Sequence, residues 1–351
     1  MPVAYIPNRE RSVLFAAKGE TTEGTDSTPV GTIDTLSTVD SPHPFTPQFD
    51  SAEYRPHSTS FTRRKNIITI QQWNVTTKWW MCGPNSVGAA AHLVNGFAAQ
   101  SALYCAAGAQ MVVVGTTTSI TFSPATTTQL VTPSPPATPQ TTPMCGPATI
   151  WAAYDGSLLH KATGCWGNVV IEGSVNTGVT ATFTGTGLYA APTAATIANY
   201  AADALPRPIF RGITGTITGA STAYTPVIQS FKHDFGMTAT RITDGNAATG
   251  LKRMLAGDRN PTLQLVIAMD TDSTSTEPYA TLYADMAAAQ THAVTFKIGV
   301  GATTVATHTY GQAQLLKITP GVLNGYGILT LDYKLQNSVN ETDWSIAYAA
   351  T

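Results

Sequence analysis

The residues of this sequence that could carry chemistry are few and scattered. The seven histidines, which include His92, His160, His233, His292 and His308, stand alone rather than at the spacing of a catalytic or metal-binding motif. No nucleophile elbow, phosphate-binding loop, dinucleotide fingerprint or zinc-protease helix is present. A Ser/His/Asp set assembled only by folding stays conceivable, but no residue is singled out for it. We therefore predict a protein that is not an enzyme, with no catalytic residue and no cofactor.

The four cysteines lack the spacing of a metal site. Cys82, Cys105, Cys145 and Cys165 lie far apart, whereas zinc ligands usually come in close pairs. We predict no metal and mostly structural thiols, since cytosolic proteins seldom keep disulfides. A disulfide formed later, in an oxidising environment, remains an open alternative.

Two short clusters are candidates for contact with a partner. Arg63 and Arg64 begin a basic triplet that could touch phosphate, but such charges are more typical of a solvated strand end or of an ion pair between subunits. Trp79 and Trp80 are adjacent, so in a strand one faces the core and the other faces outward, where tryptophan favours interfaces. We predict subunit contacts here rather than stacking on DNA bases.

The composition points to a subunit of an assembly. Charged residues make up 11% of the chain and apolar residues 43%, and the charged share is about half the usual one. The surface must then consist largely of neutral polar side chains, which cost little to desolvate against another subunit. The 19 basic and 21 acidic residues leave a formal charge of −2, so the chain has no general attraction for nucleic acid.

The sequence carries no sign of a membrane segment. Its start lacks the basic stretch and apolar core of a signal peptide, and no apolar run approaches the length of a bilayer span. We expect a chain that is made in, and soluble in, a cytoplasm.

Most of the chain has the pattern of short strands. Apolar and polar residues alternate in segments 179–184, 294–298 and 329–335, which is typical of half-buried strands. The pair Asp155-Gly156 between extended segments predicts a two-residue hairpin. The fold class is therefore mainly β.

Helices are predicted at two places. The stronger candidate begins at Pro278 and carries Leu282, Tyr283 and Met286 at helical spacing. The weaker one runs from about residue 85 to Phe97, where two glycines lower the helix propensity.

Residues 123–149 form a tract rich in proline and threonine. Proline cannot donate to a strand ladder, so we predict a surface loop here.

A weak internal repeat divides the chain. His160, Gly173 and Thr182-Phe183 recur as His308, Gly321 and Thr330-Leu331, each 148 residues later. We predict two tandem domains, residues 1–200 and 201–351, with a linker near 195–210.

Six segments, in this order along the chain, resemble the tail tube proteins of long-tailed bacteriophages. They cover nearly the whole sequence: Glu20-Thr21-Thr22 with Gly24-Thr25-Asp26 and Thr28-Pro29; Asp155-Gly156 to Gly167; Thr182-Phe183-Thr184 with Gly187 to Thr193; Ser230-Phe231 with Asp234 and Gly236; Asp258 to Thr262; and Gly327 to Asp332.

The resemblance implies two tail-tube-type β-sandwich domains, each with a short flanking helix. Subunits of this family form rings that stack into a hollow tube for genome passage, and strands of neighbouring subunits join in a continuous β-barrel. Because the chain is duplicated, the repeat predicts trimeric, pseudo-hexameric rings.

The resemblance also assigns roles to particular residues. The polar faces of long strands would line the lumen, for which we expect Thr180, Thr182, Thr184, Thr330, Asp332 and Lys334. Residues 20–60 resemble the family's long loop that reaches the next ring. Contacts between rings or subunits would then involve Glu20, Glu23, Asp26, Asp34, Asp40, Arg63, Arg64, Trp79 and Trp80.

The implied setting is a virion tail, assembled in the cytoplasm of a host bacterium. The implied partners are further copies of the chain, the tape measure, tail terminator and tail tip proteins, and viral double-stranded DNA that passes without specific binding. Two alternatives stay open: a receptor-binding or adhesin module, and another tail structural protein such as a terminator or a decoration protein.

Overall fold

The structure is a computed structural model that describes residues 13–30, 34–39, 43–52, 66–84, 97–114, 119–131, 145–154, 158–175, 177–195, 214–219, 223–269, 278–299, 306–336 and 343–349. The elements up to residue 195 are called the first half. They are β1 Val13–Gly19, β2 Thr35–Leu36, β3 Phe45–Ala52, β4 Ile67–Trp80, α1 Phe97–Ala106, β5 Ala109–Val114, β6 Ser119–Pro124, α2 Thr127–Val131, β7 Ala148–Tyr154, β8 Leu158–Ser174, β9 Thr180–Tyr189 and β10 Thr193–Ala194.

The elements from residue 214 onward are called the second half. They are β11 Thr214–Thr218, β12 Ala223–Tyr224, β13 Ile228–Asp234, β14 Met237–Thr243, β15 Leu251–Arg259, β16 Thr262–Ala268, α3 Pro278–Ala287, β17 Thr291–Ile298, β18 Ala306–Leu323, β19 Tyr326–Leu335 and β20 Ser345–Ala349.

The mainly β fold class is confirmed. The three alternating segments lie in β9, β17 and β19, and each alternates between buried and more exposed side chains. A hairpin at this place is also confirmed, because β7 and β8 pair antiparallel up to Tyr154 and Leu158. Three residues separate these two, where the sequence predicted a turn of two. Residues 155–157 themselves lie outside the described residues.

Of the two predicted helices, one is confirmed and the other overlaps the observed helix at a single residue. The helix beginning at Pro278 is confirmed as α3. The other helix begins at Phe97, where its predicted version ends, and continues to Ala106. Residues 85–96 lie outside the described residues. Nine of the ten residues of α1 are buried, so this helix has no polar face for a periodicity argument to detect.

The prediction of a surface loop for residues 123–149 was wrong at both ends. Ser123 and Pro124 pair with β5, residues 127–131 form α2, and Ala148 begins β7. Proline is tolerated at Pro124 because it is the last residue of its strand. Residues 132–144 lie outside the described residues.

The same order of strand pairing occurs in both halves. In the first half the order is β3-β4-β9-β8-β7-β1-β2. In the second half it is β13-β16-β19-β18-β17-β11-β12. A helix follows β4 in the first half and β16 in the second. The predicted linker near 195–210 lies almost wholly outside the described residues.

The two halves share one hydrophobic core. Trp79 and Tyr104 of the first half belong to the same buried cluster as Phe235, Tyr310 and Trp344 of the second. The rings of Tyr104 and Phe235 lie 5.5 Å apart. The halves therefore fold against each other and are not separate units on a string.

The four cysteines are buried and form no disulfide. Burial raises the pKa of the Cys105 and Cys165 thiols well above their ordinary value, which disfavours the reactive thiolate.

Within the described part of the chain, no helix is both long and apolar enough to cross a membrane. The same residues contain no cluster of three or more His, Cys, Asp or Glu side chains that could hold a metal ion.

Candidate assembly surface

A continuous antiparallel sheet runs through both halves of the chain. Its strands follow the order β3-β4-β9-β8-β13-β16-β19-β18. The first four strands belong to the first half and the last four to the second. This eight-stranded sheet is therefore built from equal contributions, and we call the β8–β13 pairing at its centre the internal joint.

The internal joint pairs five residues on each side. Val170 lies opposite Asp234 at one end, and Ser174 lies opposite Ser230 at the other. Past the end of this ladder, the Phe235 amide donates to the carbonyl of Val169, at 3.0 Å. Edge-to-edge pairing of this kind satisfies backbone groups that would otherwise be left open on both strands.

A side-chain network secures one end of the internal joint. Asn168 on β8 donates to a carboxylate oxygen of Asp234 at 2.7 Å, and its own oxygen accepts from the Met237 amide at 3.1 Å. Asp234 also accepts from the Gly236 amide at 2.8 Å. Asn168 therefore connects the first half to both sides of the bend that follows β13.

We expect Asn168→Ala to lower the free energy of unfolding by about 1–2 kcal/mol, because two hydrogen bonds across the internal joint are lost in a partly buried place. Urea titration measures this change. Asn246→Ala is a matched control, since the Asn246 bond to Asp244 comes from its own backbone amide and not from its side chain. An equal loss in both variants would contradict a role of Asn168 in the joint.

The bend after β13 requires glycine. Gly236 has φ +66°, and a Cβ there would overlap the carbonyl of Asn260. The bend turns β14 and β15 out of the eight-stranded sheet, and they form a separate two-stranded sheet. We call this pair of strands the arm.

The arm packs on the first half. Its Met237, Leu251 and Met254 form a small buried cluster with Trp166 of β8. Two ion pairs lie nearby: Arg241 with Asp50 at 2.8 Å and Arg253 with Glu23 at 3.6 Å. The apolar contact contributes most of the stabilisation, since half-exposed ion pairs contribute little.

A second ladder also connects the halves. β20, near the end of the described chain, pairs on one side with β18 and on the other with β6 of the first half. The hairpin β5–β6 is thereby added to the sheet of the second half. Together with the internal joint, this ladder fixes the two halves to each other.

One face of the eight-stranded sheet is polar and carries both signs of charge. One row of paired residues crosses four neighbouring strands, β8, β13, β16 and β19. Its members, in this order, are Glu172, Lys232, Gln264 and Asp332. Residues directly opposite each other share a face, so the charged residues on this face are Lys78, Lys232, Lys317 and Lys334 with Asp50, Glu172, Asp234 and Asp332.

The strands carry equal numbers of positively and negatively charged side chains on this face. Lys78 contacts Glu172 at 3.1 Å, and Asp332 accepts a hydrogen bond from Gln264 at 2.7 Å. The other face buries the core, with Trp79, Phe183 and Leu331 among its side chains. The polar face is thus the one that the sheet presents outward.

All six predicted lumen residues lie on this polar face. Thr182 is opposite Lys78, Thr184 is opposite Thr76, and Thr180 is opposite Trp80 and nearly buried. Thr330, Asp332 and Lys334 follow the same alternation on β19. The structure brings the two predicted sets onto one continuous surface.

The predicted contact residues are spread over different environments. Glu20 is buried and accepts from the amides of Gly24 and Gly164 and from the Thr149 hydroxyl. Asp34 is buried and accepts from the Val30 amide. Burial raises the pKa of both carboxyl groups. Glu20 and Asp34 therefore have contacts within the chain, and the partner contacts expected for them stay a prediction.

The other described contact predictions are Glu23, Asp26, Trp79 and Trp80, and all but Trp79 lie nearer the surface. Asp26 pairs with Lys161 at 3.1 Å. Burial raises the pKa of Glu23, and the nearby Arg253 opposes part of that rise. Trp79 is fully buried and donates to Gln100, whereas Trp80 is partly exposed. Asp40, Arg63 and Arg64 lie outside the described residues.

Both outer edges of the eight-stranded sheet are open within the described residues. β3 pairs only with β4, and the segment of β18 from residue 316 to residue 323 pairs only with β19. Val322 is 76% exposed, Leu316 55% and Phe49 44%. An open, partly apolar strand edge is a template for pairing with another chain.

Each open edge carries one proline, Pro47 in β3 and Pro320 in β18. A proline fits an edge strand when its nitrogen faces away from the paired neighbour. Each edge therefore offers one backbone donor fewer, which is a common protection against uncontrolled pairing.

Sequence reasoning missed a buried histidine pair beside the internal joint. His233 on β13 and His308 on β18 are both fully buried, with ring centroids 6.4 Å apart. Among the described residues, neither ring nitrogen of His233 has a hydrogen-bond partner, and His308 contacts the Tyr310 hydroxyl at 3.2 Å. Burial lowers the pKa of both, that of His308 to about 3. No sequence motif marks these two residues, because folding alone brings them together.

No protein-family model matches this sequence, and a comparison with curated proteins finds no match. Among solved structures, a chain in the cryo-EM structure of the anti-feeding prophage baseplate is similar, with 14% sequence identity and a TM-score of 0.29. The match covers 35% of this chain and 88% of the other.

Proposed function

We propose that this chain is a structural subunit of a bacteriophage tail, which assembles into stacked rings that form the hollow tail tube. The observation that carries the proposal is the eight-stranded sheet, with its internal joint and its two open edges. The resemblance of six ordered segments to tail tube proteins supports it from the sequence. The proposal assigns the chain no catalytic role.

The internal joint supports a duplicated, ring-forming subunit. The halves have the same order of strand pairing, so the joint is a contact between two equivalent units that happen to be on one chain. Repeating that contact between chains would use the two open edges and leave none exposed. A sheet extended in this way closes into a barrel. Three chains would supply six equivalent units, which is the pseudo-hexameric ring that the sequence repeat predicts.

The polar face supports a lumen that DNA can pass. The core covers the opposite face, so closing the barrel would place the polar face inside. The eight strands contribute equal numbers of lysines and carboxylates to that face, four of each. Each phosphate held by an unpaired cation adds affinity and therefore resists sliding. A balanced surface avoids this and needs no specific DNA contact.

Other parts of the proposal follow from the tube itself. Rings that stack need a start and an end, which tail tip and terminator proteins would provide, and a tape measure protein would occupy the lumen during assembly. The place of action is the virion tail, after assembly in the bacterial cytoplasm. These partners are proposals that rest on the tube assignment.

Electron microscopy of the purified protein tests the function. We expect hollow tubes, with end-on views of threefold or pseudo-sixfold symmetry, because each chain carries two equivalent units. Single rings that never stack would favour a terminator. A discrete oligomer that binds cell-surface glycan would favour a receptor-binding protein. Either of these outcomes overturns the tube proposal.

A further inference from the structure

We infer that the open edge of β18 pairs with β3 of a second copy, in a register that places Thr319 opposite Thr46. The inference rests on the proposed function, because it names the surface through which ring neighbours meet. The occupant of the edge is another copy of this chain, since the internal joint is the same contact formed between the two halves.

The pairing order identifies the strands. At the internal joint, β8 of the first half pairs with β13 of the second. In the order of pairing, β8 corresponds to β18, and β13 corresponds to β3. The equivalent contact therefore joins β18 of one copy to β3 of the next. These are the two outer edges of the eight-stranded sheet that stay open within the described residues.

The register on the β18 side follows from the repeat. Phe183 and Leu331 occupy equivalent positions 148 residues apart, and both are fully buried. Phe183 lies opposite Val169 of β8, and Leu331 lies opposite Ile318 of β18. The residues that follow, Val170 and Thr319, are then equivalent.

The register on the β3 side follows in the same way. Phe183 lies opposite Thr77 of β4, and Leu331 lies opposite Leu265 of β16. Three residues before Thr77 on β4 is Asn74, which pairs with Thr46 of β3. Three residues before Leu265 on β16 is Thr262, which pairs with Asp234 of β13. Thr46 is therefore equivalent to Asp234. Since Asp234 lies opposite Val170 at the internal joint, Thr46 should lie opposite Thr319.

The side chains are compatible with this register. Thr46 and Thr319 both belong to the polar face, because they lie opposite Asn74 and Thr330 there. Two residues along, Gln48 meets Lys317, so no like charges face each other. The register thus continues the polar face across the junction without a slip from one face to the other.

Disulfide trapping tests the register. The four natural cysteines are buried, so cysteines introduced by Thr46→Cys and Thr319→Cys are the accessible ones. Directly opposite residues have Cβ atoms about 4.5–5.5 Å apart, within small adjustment of a disulfide. On mild oxidation of the assembled double variant, we expect covalent dimers and trimers that are reversed by reductant. A closed ring of three would end the ladder at the trimer.

The matched control is the pair Thr46→Cys and Thr330→Cys. Thr330 is on the same face but one strand further from the edge, so a disulfide to Thr46 of the next copy would be too long. Mixing the two single variants Thr46→Cys and Thr319→Cys should give dimers only, which shows that the bond joins different copies. Equal cross-linking in the control overturns the inferred register.

Microscopy of the same samples separates the two proposals. Tubes without the Thr46–Thr319 disulfide would refute the inferred joint and leave the function standing. Covalent oligomers without tubes would support the joint and refute the function. The single-cysteine variants are required to form the same assemblies as the unmodified protein, which excludes misfolding as the cause of a negative result.

Discussion

Lowering the pH from 7 to 4 is expected to reduce the free energy of unfolding by about 3 kcal/mol through His308 alone. Burial lowers the pKa of His308 to about 3 in the folded chain, whereas an unfolded histidine titrates near 6.5. Between these values the unfolded chain binds a proton that the folded chain does not, so stability falls as the pH falls. The pKa of His233 is lowered in the same direction, by burial and by the nearby His308.

Within the described part of the chain, no charged group is found that would counteract the effect of burial on the two histidines. The groups that face His233 are the rings of Phe235, Tyr310, Trp344 and His308, at 4.9 Å or more between centroids. Lys232 and Asp234, its neighbours on β13, point to the opposite, polar face. Three carboxyl groups act in the opposite sense, because the pKa values of Glu20, Glu23 and Asp34 are raised. Their folded forms hold protons more readily, which offsets part of the loss near and below pH 4.5.

Urea unfolding at pH 7, 6, 5 and 4 measures the effect. In His308→Phe, where a ring can still stack on Phe296, we expect a distinctly flatter dependence on pH. His160→Phe is the matched control, because His160 is the repeat partner of His308 but is only partly buried. An unchanged pH dependence in His308→Phe would show that the buried histidine pair is not the source of acid lability. Because the pair lies beside both ladders that connect the halves, acid should also disassemble any tube before the strands melt.

The parts of the fold that were predicted correctly depend on residues that lie close together in the sequence. Alternation in β9, β17 and β19 and the hairpin formed by β7 and β8 are local features, and both are confirmed. Residues 98–106 of α1 were not predicted as helix, because α1 is buried all round and has no periodic polar face. The tract from residue 123 to 149 was misjudged because pairing with β5 and a short helix outweighed its proline content.

The candidate assembly surface was predictable only in part. Threonine alternation on β9 and β19 located the polar face, since that pattern is local. The internal joint was not predicted, because β8 and β13 are about 60 residues apart and carry no mutual signal. Glu20 illustrates the same limit. Its charge suggested a surface role, yet folding brings it to the amide of Gly164 and the hydroxyl of Thr149, far away in sequence.

The two edge prolines should control how readily the chain assembles. At the inferred contact Pro47 and Pro320 lie next to the pair Thr46 and Thr319. Each proline removes one backbone donor from the hydrogen bonds between β3 and β18 of neighbouring copies. We expect the double variant Pro47→Thr and Pro320→Thr to restore two hydrogen bonds for every contact between copies. At roughly 1 kcal/mol for each bond this amounts to about 2 kcal/mol, which corresponds to about a 30-fold lower concentration for the onset of assembly.

Light scattering as a function of protein concentration measures the onset, and microscopy distinguishes ordered tubes from aggregates. Pro192→Thr is the matched control, because Pro192 is exposed in the loop between β9 and β10, away from both edges. Replacing a proline also raises the conformational entropy of the unfolded chain, and this control measures that effect separately. If the onset moved equally in the control, or did not move in the double variant, the prolines would not lie at a contact between copies. A lower onset with disordered aggregates would still place the prolines at the edge, and would identify them as protection against pairing in the wrong register.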